Sequence, residues 1–328
     1  MLRFLARRAA IALLTIMAIS VLSFVIIELP PGDYISSYVA QQAASGAVIT
    51  QQEADNLRVQ YGLDQPTWVQ YFKWMRLVVT GNFGTSMEWQ RPVLSVIGDR
   101  LFLTVALSLA AVLFTWLIAL PIGIYSAVKQ YSPLDYLFTT LGFFGLAVPN
   151  FLLALVLLYF GFTFFGANIG GLFSPEYADA SWNAAKFADL LKHLPLPAFI
   201  LAVGGTAQVI RVLRANLLDE LRKPYVTSAR AKGLKEWQVI MRHPVRVALN
   251  PFVSTIGYLF PYIVSGSIIV SLVLSLPTVG PLLLRALLAK DMFLAGTIVL
   301  MLGTMTVIGT FISDVLLMVI DPRVRAEG

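Results

Sequence analysis

Long apolar runs alternate with shorter polar segments along the chain. The runs cover residues 9–29, 101–128, 134–165, 196–218, 250–276 and 292–320. About 20 apolar residues in a helix cross the hydrocarbon core of a bilayer, and a helix satisfies its own backbone there. The pattern therefore predicts an all-α polytopic membrane protein with six transmembrane helices. Arg3, Arg7 and Arg8 precede the first run, as basic residues precede a signal peptide. Its length, and the lack of a small-x-small cleavage site before Pro30-Pro31-Gly32, predict an uncleaved first helix instead. Pro149 lies inside the third run and predicts a kink there.

The polar segments differ in kind. Residues 30–100 are long enough for a structured insert between the first two spans. Within it, Thr50 and Glu53 have capping-box spacing, predicting a helix that runs to Tyr61 and stops at Gly62. Pro66 opens a second helix, in which Trp68, Tyr71, Phe72, Met75, Leu77 and Val78 recur every three or four residues. That aromatic stripe reads as an anchor in the outer leaflet or as a docking surface for another protein. Residues 166–195 read as an outer loop with one interfacial helix. Residues 277–291 read as a re-entrant turn or a short helix.

Between spans four and five lies a basic segment, from Asn216 to Pro251. Pro224 suits the first position of a helix, because its missing N–H would be unpaired there anyway. Ala229, Ala231 and Gly233 follow as a low-profile surface; in a continuous helix Ala229 and Gly233 would stack on one face. Residues 235–242 predict a second short helix, with Trp237, Ile240 and Met241 on one side, ended by Pro244. Such a pair lies on anionic lipid headgroups or packs against a partner.

Charge sets the orientation. With the N-terminus inside, 15 Lys and Arg residues fall on the cytoplasmic side and nine outside; nine of the 15 lie between Arg211 and Arg246. The positive-inside rule then places both termini in the cytoplasm. Composition agrees with a lipid-facing chain: 58% of residues are hydrophobic and 13% charged, with mean hydropathy +0.77. Soluble domains hold about 45–50% apolar and about a quarter charged residues. The net charge of +6 thus belongs to membrane topology and implies no nucleic-acid partner.

Chemistry is sparse. The chain has no cysteine, which excludes thiolate catalysis and Cys-ligated zinc. No P-loop, GxGxxG, HExxH or GxSxG pattern occurs. His193 and His243 lack acidic and nucleophilic partners in sequence and read as interfacial or capping residues. Glu28, Asp314 and Asp321 sit towards span ends, so a proton relay through the membrane has no stations. That counts against an ion-coupled carrier, the main alternative from composition. An intramembrane enzyme would need a nucleophile–base pair or a metal set, and a structural anchor would not need the basic segment.

The stretch Tyr225-Val226-Thr227-Ser228-Ala229-Arg230-Ala231-Lys232-Gly233-Leu234 resembles the coupling-loop motif of ABC importer permeases, and the oligopeptide/dipeptide group above all. Further matching pieces follow in order: Leu29-Pro30-Pro31-Gly32-Asp33, Tyr61-Gly62-Leu63-Asp64-Gln65-Pro66, Gly81-Asn82-Phe83-Gly84-Thr85-Ser86, Arg242-His243, and Asp321-Pro322-Arg323. The likeness spans the chain and is greatest to the first of the two permease subunits. Departures fall at Ser271, Leu274 and Thr278, near the outer mouth, and at Pro244.

The resemblance implies the type I importer permease fold, arranged as residues 1–29 (N-terminus and first helix), an extracytoplasmic insert over 30–100, a core over 101–320 with a coupling segment at 219–246, and a tail over 321–328. Tyr225, Ser228, Ala229, Arg230, Ala231, Lys232, Gly233 and Leu234 would contact the ATPase subunit. The chain itself would hold no cofactor; two ATP-binding cassette subunits would bind ATP and Mg. A second homologous permease, an extracytoplasmic solute-binding protein and membrane lipid complete the implied partners. The location is the bacterial inner membrane. The implied cargo is peptide, with opines, oligosaccharides and nickel complexes as alternatives within the group.

Overall fold

The computed structural model describes residues 2–166, 169–249 and 267–320. Most of the fifth apolar run and the whole 321–328 tail lie outside the described residues. The described chain is helical: α1 (Leu2–Glu28), α2 (Tyr34–Ala44), α3 (Gln51–Tyr61), α4 (Thr67–Val79), α5 (Val93–Ile97), α6 (Arg100–Val128), α7 (Pro133–Ala147) and α8 (Asn150–Phe165) come first. Then follow α9 (Ala184–His193), α10 (Pro195–Leu221), α11 (Pro224–Ala231), α12 (Glu236–Arg242), α13 (Pro244–Ala248), α14 (Val279–Ala289) and α15 (Met292–Ile320). Residues 267–273 are also helical.

Among the described residues four helices, α1, α6, α10 and α15, are long and apolar enough to cross a membrane, and α7 with α8 makes a fifth if the pair is one span. That pair bends by 101°, a break sharper than the expected kink. The cause is local. Val148 precedes a proline and takes extended backbone (φ −91°, ψ 119°), and Pro149 has no N–H to carry the helical ladder across. Large side chains exposed on these helices, among them Leu14, Ile26, Phe162 and Phe165, match a lipid surround.

The chain divides into two compact units. In the first, Leu103–Pro277 forms most of the body, and its core joins Leu107, Ala111 and Ala119 of α6 to Ile200, Leu201 and Val209 of α10. Small residues let these helices approach. A Cβ on Gly123 would meet Leu213 at 2.9 Å, and one on Gly145 would meet Val203 at 2.8 Å. Asp189 anchors the loop before α9, accepting from the Ser174 backbone N–H at 2.7 Å and its hydroxyl at 2.9 Å. Burial opposes its charge, yet those donors hold its carboxyl below the usual range.

The second unit joins Ala6–Phe102 to Thr278–Ile308. Its insert helices form as the spacing predicts. Thr50 and Glu53 complete the capping box, and Gly62 ends α3 in the left-handed region (φ +70°). The expected aromatic stripe of α4 is split rather than uniform, and Trp74, which the spacing leaves out of it, is the most buried side chain of the helix. Tyr71 and Trp74 turn inward on Phe24 of α1, with the Tyr71 hydroxyl 2.9 Å from Ser20 Oγ, whereas Trp68 and Phe72 stay exposed. Positions 71 and 74 share one face by their three-residue spacing; 68 and 72, four apart, sit together to one side of it.

One residue binds the insert to α15. Asp291 is fully buried and accepts from the Ser86 hydroxyl (2.5 Å) and from the backbone N–H groups of Glu88 and Leu294 (both 3.1 Å). It therefore caps α15 and fixes the 84–92 loop at once. Gly84 serves the same closure, since its φ is +76° and a Cβ would lie 2.7 Å from Phe293. Lys290 adds a second clasp, donating to the carbonyls of Pro30, Pro31 and Gly32. Asp291→Ala is expected to destabilise the protein by about 3 kcal/mol, because three buried or part-buried donors lose their acceptor. Asp291→Asn, which keeps one acceptor oxygen, should lose less. Thermal unfolding of the detergent-solubilised protein checks the order; equal stability of all three proteins would refute it.

Candidate functional site

The basic segment leaves α10 through Arg222 and Lys223 and turns into α11 at Pro224, whose fixed φ and missing N–H fit the first helical position. Two contacts set the angle of α11. Val226 is fully buried, and the Tyr225 hydroxyl donates to Glu220 Oε2 at 2.6 Å, back on the last turn of α10. Burial first, then the Glu220 hydrogen bond and charge, raise the Tyr225 phenol above its usual pKa, so it stays a donor.

The helix ends at Ala231, and Gly233 is left-handed at φ +75°. This corrects the expectation that Ala229 and Gly233 form one helical strip. Ala229 is half-buried, three residues from Val226 on the inward side, and Gly233 lies beyond the helix in the turn. Tyr225, Ser228, Arg230, Ala231, Lys232, Gly233 and Leu234 are exposed. The surface offered outward is thus the end of α11 with its turn, not an alanine–glycine face.

Arg230 closes the turn by a two-point ion pair to Glu236, at 2.7 and 3.2 Å. That hydrogen bonding lowers the Glu236 carboxyl and raises the Arg230 guanidinium relative to their usual values. The pair is exposed, so it orients more than it stabilises. In α12 the buried side is Val239 and Ile240, while Trp237 is exposed; the expected grouping of Trp237 with Ile240 therefore does not hold. Ile240, Val245 and Ala248 pack on Ala127, Leu213 and Leu217, holding α12 and α13 to the ends of α6 and α10. His243 joins α12 to α13 and packs its ring on Tyr225. His193 lies with Nδ1 2.9 Å from the Asp189 carbonyl.

Three features escaped sequence reasoning. Asp291 directly precedes an apolar run, a helix-start signal that was readable. The Asp135–Arg214 ion pair (2.9 Å) joins residues far apart in sequence, and no local pattern announces it. A cavity of about 230 Å³ opens on the insert between α3 and α4, lined in part by Tyr61, Leu63, Lys73, Met87 and Phe293. Among the described residues, no group of three or more His, Asp or Glu side chains could hold a metal ion.

Comparison with known proteins follows the same layout. Residues 119–326 match the model of the binding-protein-dependent transport system inner membrane component, and residues 1–108 match the model of its N-terminal part. The chain belongs to this family. It is a permease subunit of the ABC import type, of the first-subunit kind, and a polytopic membrane protein rather than an enzyme. A Brucella suis chain provisionally described as a peptide permease protein is 36% identical over 327 residues, covering 99% of both chains. The oligopeptide transport system permease protein AppB of Bacillus subtilis is 33% identical over 323 residues, covering 98% of this chain and 99% of its own. The dipeptide transport system permease protein DppB of Escherichia coli is 28% identical over 341 residues, covering 99% of both. Membership in the family implies work within a multi-subunit importer.

The permease turn makes a sharp test possible. Gly233→Ala and Gly233→Leu are both expected to cost about 1 kcal/mol, because either forces a side chain into the left-handed region. Leucine should add nothing further, since no atom lies within 4 Å of the Cβ position. Thermal unfolding of the purified chain measures both; a clearly larger loss for leucine would mean that the turn packs within the chain.

Proposed function

We propose that this permease forms half of the pore of an ATP-driven importer of peptides, which an extracytoplasmic solute-binding protein delivers. The observation that carries the reading is the exposed end of α11 and its glycine turn. They stand on a segment rigidly tied to α10, in a chain whose relatives AppB and DppB are described as oligopeptide and dipeptide transport permeases. Tyr225, Ser228, Arg230, Ala231, Lys232, Gly233 and Leu234 form the contact with an ATP-binding cassette subunit, and Ala229 supports them from the inner side. Two such subunits bind ATP and Mg; a second homologous permease completes the pore. Six spans cross the inner membrane with both termini in the cytoplasm, supported by the six apolar runs and the basic bias. The 30–100 insert lies outside, and its cavity beside Lys73 is a contact for the binding protein. Residues 101–320 form the core.

Reconstitution with the partner subunits tests the whole reading. Uptake of labelled di- and oligopeptides into proteoliposomes should require ATP, Mg and the binding protein, and the single chain should hydrolyse no ATP. Peptide uptake by the chain alone, driven by an ion gradient, would overturn it. Gly233→Leu should lower co-purification of the ATPase subunit well below the level of Gly233→Ala. Equal recovery would remove the turn from the contact.

Orientation has its own check. Cysteines replacing Ser45 and Ser181 in this cysteine-free chain should react with an impermeant thiol reagent on intact cells, and one replacing Ser228 should not. The reverse pattern would invert the topology.

A further inference from the structure

We infer that Arg214 and Asp135 form the joint through which movement of the 224–242 segment reaches the second and third spans; this rests on the coupling role proposed above. Arg214 projects from α10 and touches two other helices at once. Its Nη2 donates to Asp135 Oδ2 at 2.9 Å, on the first turn of α7, and its Nε donates to the Ser126 carbonyl at 3.3 Å, on the last turn of α6. The Asp135 side chain is 4% exposed and that of Arg214 30%. Asp135 is itself built into the connection between α6 and α7. Its carboxylate accepts from the Tyr131 N–H at 2.9 Å, and its own N–H donates to the capping Ser132 hydroxyl at 3.2 Å. One guanidinium thus holds the end of one helix, the start of the next and the short turn between them.

The other end of the lever is equally tied. Arg214 stands about two helical turns before the end of α10. There Glu220 receives the Tyr225 hydroxyl of α11, and Leu213 and Leu217 pack on Ile240, Val245 and Ala248. A push on α11 or α12 therefore arrives at α10. What it does next depends on how α10 grips α6 and α7. Apolar contact is non-directional: it holds the helices together without fixing which group faces which. A guanidinium with two acceptors at fixed angles does not. Stability alone is a weak reason for such a pair, since buried ion pairs are often replaced by apolar residues without loss. Position, direction and chemistry converge on transmission.

The test uses the full complex in proteoliposomes, with three readouts: assembled yield, ATP turnover, and peptide transported per ATP. Arg214→Lys keeps the charge but offers a single ammonium in place of the fork. Asp135→Asn combined with Arg214→Met keeps an acceptor for the Tyr131 N–H and removes both directional contacts of the guanidinium. Each should assemble at parental yield and turn over ATP. Each should carry about tenfold less peptide per ATP, equivalent to about 1.4 kcal/mol of lost coupling. A merely structural pair predicts the opposite for the double variant, which would regain coupling along with stability. Parental transport per ATP in either assembled variant overturns the inference, as does failure of both to assemble. If the parental complex itself shows no ATP-dependent uptake, the coupling role falls first, and the joint with it.

Discussion

The cost of leaving a charge or a backbone group unpaired in low-dielectric surroundings governs this structure at every level. It makes the apolar runs helical, since only a helix closes its own hydrogen bonds without water. It also explains where the few buried carboxylates stand. Asp135, Asp189 and Asp291 each lie near a helix start or a loop, each with several donors converging on it. None is a lone charge. Each fixes a connection: the α6–α7 turn, the loop before α9, and the junction of the 84–92 loop with α15.

Rigid helices with few hinges follow from the same constraint. Proline and glycine mark where the ladder is interrupted, at Val148-Pro149 between α7 and α8 and at Gly233 after α11. Small residues elsewhere do the reverse and let helices touch, as Gly123 and Gly145 do against α10. A permease made this way transmits motion through a small number of directional contacts. The Tyr225–Glu220 and Arg214–Asp135 bonds are directional contacts along α10, set among close-packed apolar side chains.

Much of this was legible beforehand because it is local. The capping box at Thr50, the stop at Gly62 and the helix start at Pro224 depend on neighbours within four residues. The split of the α4 stripe was not legible. Trp68, Tyr71 and Phe72 share composition and spacing while Trp74 falls outside the pattern, and only the presence of Phe24 and Ser20 opposite decides that Tyr71 and Trp74 turn inward. Ala229 illustrates the same limit within the candidate site. Its small side chain suits a docking face as well as a packed one, and the burial of Val226 three residues earlier assigns it inward.

The sequence by itself determined that the chain is helical and membrane-spanning, where the runs begin and end, and which segment carries the exposed basic turn. Run length, charge placement and turn chemistry are properties of short stretches and survive without a fold. The tertiary structure alone decided which charges meet. Arg214 finds Asp135 and Ser126 across separate helices, and Asp291 reaches Ser86 from the far end of the chain. Opposite charges attract at any sequence separation, so the pairing that forms is chosen by which helices pack together, and no local pattern records that choice.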